Sequence, residues 1–183
     1  MLFRSLGLND LCWLEGAAEH LSVATAEFDA VVACLSLMFV IDREAAAQEI
    51  ARVLRPAGRF VASVWAGPEG CDLVRFQQAA GRFSGPPPVP GVGPGAMADT
   101  APFLEQLKQV GIQAHVEHET VGFDFPDFQS AWDTFAGVTA ARMPPERQVE
   151  AKASVLREMS WSPSAPCHFR SVVQFIVGRK LER

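Results

Sequence analysis

Two histidines three residues apart, His115 and His118, are of the type that can hold a metal ion. The residues around them alternate apolar and polar, as a strand does, and an offset of three along a strand sends two rings to opposite faces. The pair is therefore not read as a metal site, and the expected metal content is none. Cys12, Cys34, Cys71 and Cys167 are scattered, with no C-x-x-C. They read as buried free thiols in a reducing cytoplasm rather than as zinc ligands or disulfides. His20 and His168 lack the neighbours that would make either a general base. Ser36 has no G-x-S-x-G around it, so it is not a hydrolase nucleophile. Gly91, Gly93 and Gly95 have the spacing of a phosphate cradle. A cradle follows a strand and opens a helix, whereas these glycines follow a run of prolines. Glu19 reads as a solvated loop carboxylate, with a place beside a ligand as the alternative. Trp13, Trp132 and Trp161 read as core. Trp65, at the end of a candidate strand, is the best wall for a pocket.

The element that must position any such site is Phe28–Trp65. Phe28–Leu35 is a short apolar run without alternation, as in a parallel strand covered on both faces. Asp42 can cap the helix that follows, and Glu44 in its first turn suits the helix dipole. Ala46, Ala47, Ile50, Val53 and Leu54 recur at helical spacing and give one apolar face. Pro56 and Gly58 suit a type I turn, and Phe60, Val61, Val64 and Trp65 form a second buried strand. A strand–helix–strand of this length closes as a right-handed parallel crossover. The sheet is then open α/β, with ligands off the carboxyl ends of its strands, at Cys34–Met38 and Trp65–Gly67.

The 183 residues suit a single domain, 1–183, able to bury a real core. A net charge of −5 gives no reason to expect nucleic acid or an anionic membrane as partner. The apolar runs are too short to span a bilayer, and Met1–Ser5 lacks the apolar core of a secretory leader, so the expected location is cytoplasmic.

Met1–Asp10 has no clear period, and Leu11–Leu14 is a brief strand candidate followed by a loop, Glu15–Glu19. After Trp65 a helix is expected from Asp72 to Phe83, then a Pro/Gly surface loop or lid over Ser84–Met97. Thr100 is expected to cap a helix that ends at Gly111. Ile112–Phe125 reads as a strand. Helices are expected from Asp127 and from Pro144 to Met159, making a helical cap over 126–161. Phe169–Val177 is the final strand.

Three stretches resemble the class I S-adenosylmethionine-dependent methyltransferases, in particular the small bacterial type called type 11. Gly16-Ala17-Ala18-Glu19-His20-Leu21 is similar to the family's Gly-Asp-Ala-x-x-Leu loop. Phe28–Val32 with Leu37–Asp42 resembles its fourth strand and following loop. Glu49–Arg59, containing Arg52-Val53-Leu54-Arg55-Pro56-Ala57-Gly58, resembles its Arg-Val-Leu-(Arg/Lys)-Pro-Gly-Gly turn into the fifth strand. The resemblance implies a partial Rossmann-like α/β sheet, mostly parallel with an antiparallel carboxyl-terminal strand and helices on both faces. It implies methyl transfer from S-adenosylmethionine to a small-molecule acceptor. Gly16, Ala17 and Ala18 would face the adenine. Cys34, Ser36 and Leu37 would face the methionine part, and Met38 and Trp65 the acceptor. Residues 84–97 and the helices after Asp127 would cover that acceptor.

Two departures shape the expectation. The family's Gly-x-Gly-x-Gly cofactor loop and its ribose-binding acidic residue have no counterpart in this sequence, as in an amino-terminally truncated member. The adenine-loop Asp is Ala17. The chain alone is therefore expected to bind S-adenosylmethionine weakly or not at all. The alternative is a non-catalytic methyltransferase-like interaction module that pairs through an open sheet edge.

Overall fold

The computed structural model describes residues 11–85, 89–140 and 143–182, apart from the side chain at 138. The aperiodic Met1–Asp10 lies outside the described residues. Strand β1 (Phe28–Cys34) leads through a 3-10 turn (Leu37–Phe39) into α1 (Arg43–Val53) and β2 (Leu54–Trp65). Then come α2 (Asp72–Gly81), α3 (Ala101–Gln109) and β3 (Ile112–Phe125). Helices α4 (Phe128–Phe135), α5 (Gly137–Ala140) and α6 (Pro145–Met159) precede β4 (Cys167–Lys180).

The sheet order is β1-β2-β4-β3. β1 and β2 are parallel, as the crossover predicts, and β4 runs antiparallel to both its neighbours. Three strands thus share one direction, and the carboxyl-terminal strand opposes them. α1 and α3 cover one face, over a core that includes Phe60, Val64, Leu107 and Ile176. On β4, Phe169 and Ile176 are an odd number of residues apart and so face opposite sides. Phe169 belongs to a second cluster with Phe76 of α2, Trp132 of α4 and Val155 of α6. Helices therefore lie on both faces.

The local chemistry explains the boundaries. Asp42 accepts a hydrogen bond from the Ala45 N–H at 3.0 Å and caps α1. Asp127 does the same for α4 through Ser130. Gly111, at φ +82°, turns α3 into β3.

Four expectations need correction. Leu11–Leu14 is not a strand; strand formation needs a neighbour, and none of the described strands reaches it. β1 is not covered on both faces, since Val32 is 73% exposed; it does form the open sheet edge that the sequence reading allows. Arg55–Gly58 is not a type I turn but part of β2, with a register shift against β1 between Phe28 and Ala30. Ala57 has φ +62°, which a type I turn excludes. Thr100 gives α3 no side-chain cap; Asp99 instead accepts from the Ala101 N–H at 3.0 Å. Two boundaries also moved: α2 stops at Gly81, and β4 extends beyond both ends of Phe169–Val177.

Candidate functional site

The carboxyl end of β1 is built by its pairing with β2. The Leu35 N–H donates to the Ser63 carbonyl at 3.0 Å and to Ser63 Oγ at 3.1 Å. Ser63 Oγ in turn donates to Cys34 Sγ at 3.6 Å. Leu35 takes φ +47°, and the chain swings off the sheet into the 3-10 turn. Cys34 and Ser36 are exposed there. Leu37 and Met38 are buried in the core beneath. Trp65, at the end of β2, is 9% exposed and belongs to the same core. Of the predicted pocket residues, Cys34 and Ser36 are thus open to solvent, while Leu37, Met38 and Trp65 pack inward. Phe39 and Ile41, which sequence reasoning did not single out, stand exposed beside them.

A second loop crosses this turn. The Gly93 N–H donates to the Met38 carbonyl at 2.9 Å, and Arg43 Nη2 donates to the Gly91 carbonyl at 2.9 Å. Gln174 Nε2 donates to the carbonyls of Met97 and Ala98 at 3.3 and 3.1 Å, which fixes the loop's far end. The described part of Ser84–Met97 therefore lies against the loop after β1. An open groove of about 360 Å³ lies between the amino ends of α1 and α3, with Ile41, Asp42, Glu44, Met97 and Phe103 in its lining.

Gly16 and Ala17 are exposed, Ala18 is half-buried, and residues 17–20 form a tight turn closed by His20 N–H to Ala17 O at 3.1 Å. Three side chains fasten this turn to the rest. Glu19 Oε1 accepts from the N–H groups of Ile41 and Asp42 at 3.1 and 3.3 Å. Glu49 Oε2 accepts from the Leu21 N–H at 2.7 Å. Arg52 donates to the carbonyls of Leu21 and Val23, each at 2.9 Å, and to both Glu49 oxygens. The Arg52 hydrogen bond, and then the Leu21 N–H, hold the Glu49 carboxyl at a pKa of about 2, against 4.5 ordinarily. The turn at 16–18 and the loop at 34–41 are thereby joined. Nothing in the sequence marks this link: Glu49 and Arg52 read there only as an i,i+3 pair on a helix.

The other chemical candidates stay apart. His115 pairs with Glu117 and His168 with Asp124, both on the surface. Among the described residues, no cluster of His, Cys, Asp and Glu is arranged to hold a metal ion; all four cysteines are free thiols, but only Cys71 and Cys167 are buried, and Cys12 and Cys34 are exposed, against expectation. No described helix is long and apolar enough to cross a membrane.

Residues 3–62 match a family model described as a methyltransferase domain. No curated protein sequence matches the chain. Among solved structures, the YcgJ protein from Bacillus subtilis superposes with a TM-score of 0.65 at 15% identity, covering 100% of this chain and 76% of its own. A protein from Bacillus halodurans, described as a candidate methyltransferase, gives a TM-score of 0.63 at 14% identity, with 98% and 76% covered. A Galdieria sulphuraria protein, described as a candidate sarcosine dimethylglycine methyltransferase, gives 0.54 at 16%, with 99% and 64% covered.

Proposed function

We propose that this chain, which has the class I methyltransferase fold and a methyltransferase-domain match, works in S-adenosylmethionine-dependent methyl transfer to a small-molecule acceptor. The observation that carries the reading is the joined pair of loops at the carboxyl end of β1, where an open α/β sheet places its ligands. In this reading Gly16, Ala17 and Ala18 face the adenine, and Ala18 offers its N–H. Cys34 and Ser36 line the methionine end, with Leu37 beneath them in the core, and Met38 and Trp65 back the acceptor side from the core. The cofactor supplies an activated methyl group. The chain's part is to hold donor and acceptor in line, which requires no strong base.

The residues fit one side of the cofactor. Among the described residues, no Gly-x-Gly-x-Gly follows a strand and opens a helix. We therefore place the affinity of this chain for S-adenosyl compounds in the weak range. A reducing compartment, the cytoplasm, suits its free thiols.

Titration with S-adenosylhomocysteine, followed by amide NMR, tests the reading. Shifts confined to residues 16–21 and 34–38, at millimolar ligand, are expected. Shifts elsewhere, or none, contradict the site; micromolar affinity contradicts the weak binding. One observation favours a second reading, an interaction module: the outer edge of β1 has no strand partner among the described residues.

A further inference from the structure

We infer that Glu19 is a positioning residue, which sets the spacing between the adenine-side turn and the loop after β1. The inference rests on the reading above for its ligand, but its geometry stands alone. Glu19 lies next to Ala18, yet its carboxylate does not stay with its own turn. It crosses to the amino end of α1 and accepts from two successive backbone N–H groups, those of Ile41 and Asp42. These are free donors at the start of a helix, where a negative charge is favoured. The Asp42 carboxylate is engaged in capping Ala45, so Glu19 takes up donors that the cap leaves over. The same oxygen thus ties residues 41 and 42 to the turn that holds residues 16–18.

The brace continues on the other side of the turn. Glu49 accepts from Leu21, two residues beyond Glu19, and Arg52 donates to Leu21 and Val23. The 17–20 turn has one backbone bond of its own, so its place beside β1 comes from these side chains rather than from sheet pairing. Glu19 is the member that reaches the ligand loop; Glu49 and Arg52 anchor the turn to the middle and end of α1. A ligand that touches both loops must then feel the loss of Glu19 as a change in their separation, without any direct contact to its carboxylate.

The test compares the unaltered chain with Glu19→Ala and Glu19→Gln. Glu19→Gln keeps an oxygen that can accept both bonds; Glu19→Ala keeps none. Three readouts are taken: the dissociation constant of S-adenosylhomocysteine by NMR titration, amide exchange at Ala17–Leu21, and the melting temperature. Glu19→Ala should weaken binding about fivefold, the size expected for two partly exposed bonds, and should speed exchange in the turn. Glu19→Gln should recover most of both, and neither variant should shift the melting temperature by more than a few degrees. Faster exchange with unchanged affinity overturns the positioning role while leaving the proposed function standing. An unaltered chain that shows no binding, while exchange responds as expected, overturns the proposed function and leaves the brace. Equal losses in both variants, or unchanged exchange in Glu19→Ala, overturn the brace itself.

Discussion

Arg52 Nε lies 2.6 Å from Glu49 Oε1, and both side chains also bond the backbone of residues 21–23. The pair is one turn apart on α1, but its effect is on the segment ahead of β1. Exposed i,i+3 pairs contribute little alone. Here each partner spends further bonds on peptide groups with no ladder to join.

The first prediction is a pH dependence. Glu49 titrates at about 2 in the fold against 4.5 ordinarily, so the folded state favours its charged form. Its contribution is complete above the ordinary value and is lost as pH falls from there toward 2. Urea midpoints should show Glu49→Gln less stable by about 1 kcal/mol at neutral pH, with the gap closing below about pH 4.5. A gap that stays constant on acidification contradicts the pairing.

Adjacent residues in β2 should respond with opposite signs. Ala57 has φ +62°, a backbone that costs an alanine roughly 1 kcal/mol and a glycine little. Ala57→Gly should therefore raise stability by about 0.5 kcal/mol, net of the added chain entropy. A Cβ at Gly58 would stand 2.9 Å from the Arg55 carbonyl oxygen and 3.2 Å from that of Asp29. Gly58→Ala should cost about 1–3 kcal/mol. Both are read from urea midpoints, and the same sign for the two would refute the assigned backbone.

Phe76 should be the most sensitive residue of the second core. Its ring meets those of Phe128, Trp132, Phe135, Trp161 and Phe169 within 6.4 Å, and it is fully buried. Phe76→Ala should cost about 3–5 kcal/mol, through lost burial and the cavity left behind. A cost below about 1 kcal/mol in chemical denaturation would mean that α2 does not join α4 and α6 to the sheet.

The exposed edge gives a contrast. Val32 is 73% exposed on β1, while Ala62, on its neighbour β2, is fully buried. Val32→Lys should change stability by no more than about 0.5 kcal/mol, and Ala62→Lys should prevent folding. Circular dichroism melts decide between this and a covered β1, for which Val32→Lys would be severe.

What was legible follows from where the physics is local. The alternation of Ile112, Ala114 and Val116, the Asp42 cap, the helix start at Asp127, and Gly111 after α3 all act within a few residues, and the structure has them where the sequence implied. The Phe28–Trp65 crossover was readable because its apolar faces and its length admit one topology. That the sheet has an open edge was legible, and β1 is that edge; the exposure of its face was not, because the same apolar run serves a strand covered on two faces or on one, and only its neighbours decide. Leu11–Leu14 failed for the same reason. Glu19, Glu49 and Arg52 look like ordinary surface charges in sequence, since their partners are peptide groups more than twenty residues away.

On the proposed function, the loops after Glu15 and after β1 together face an S-adenosyl group. Irradiating the chain with S-adenosylmethionine at millimolar concentration, then mapping the labelled peptides, tests it most directly. Label is expected within residues 11–42, and excess S-adenosylhomocysteine should compete it away. Label only outside that segment, or label insensitive to the competitor, would contradict it.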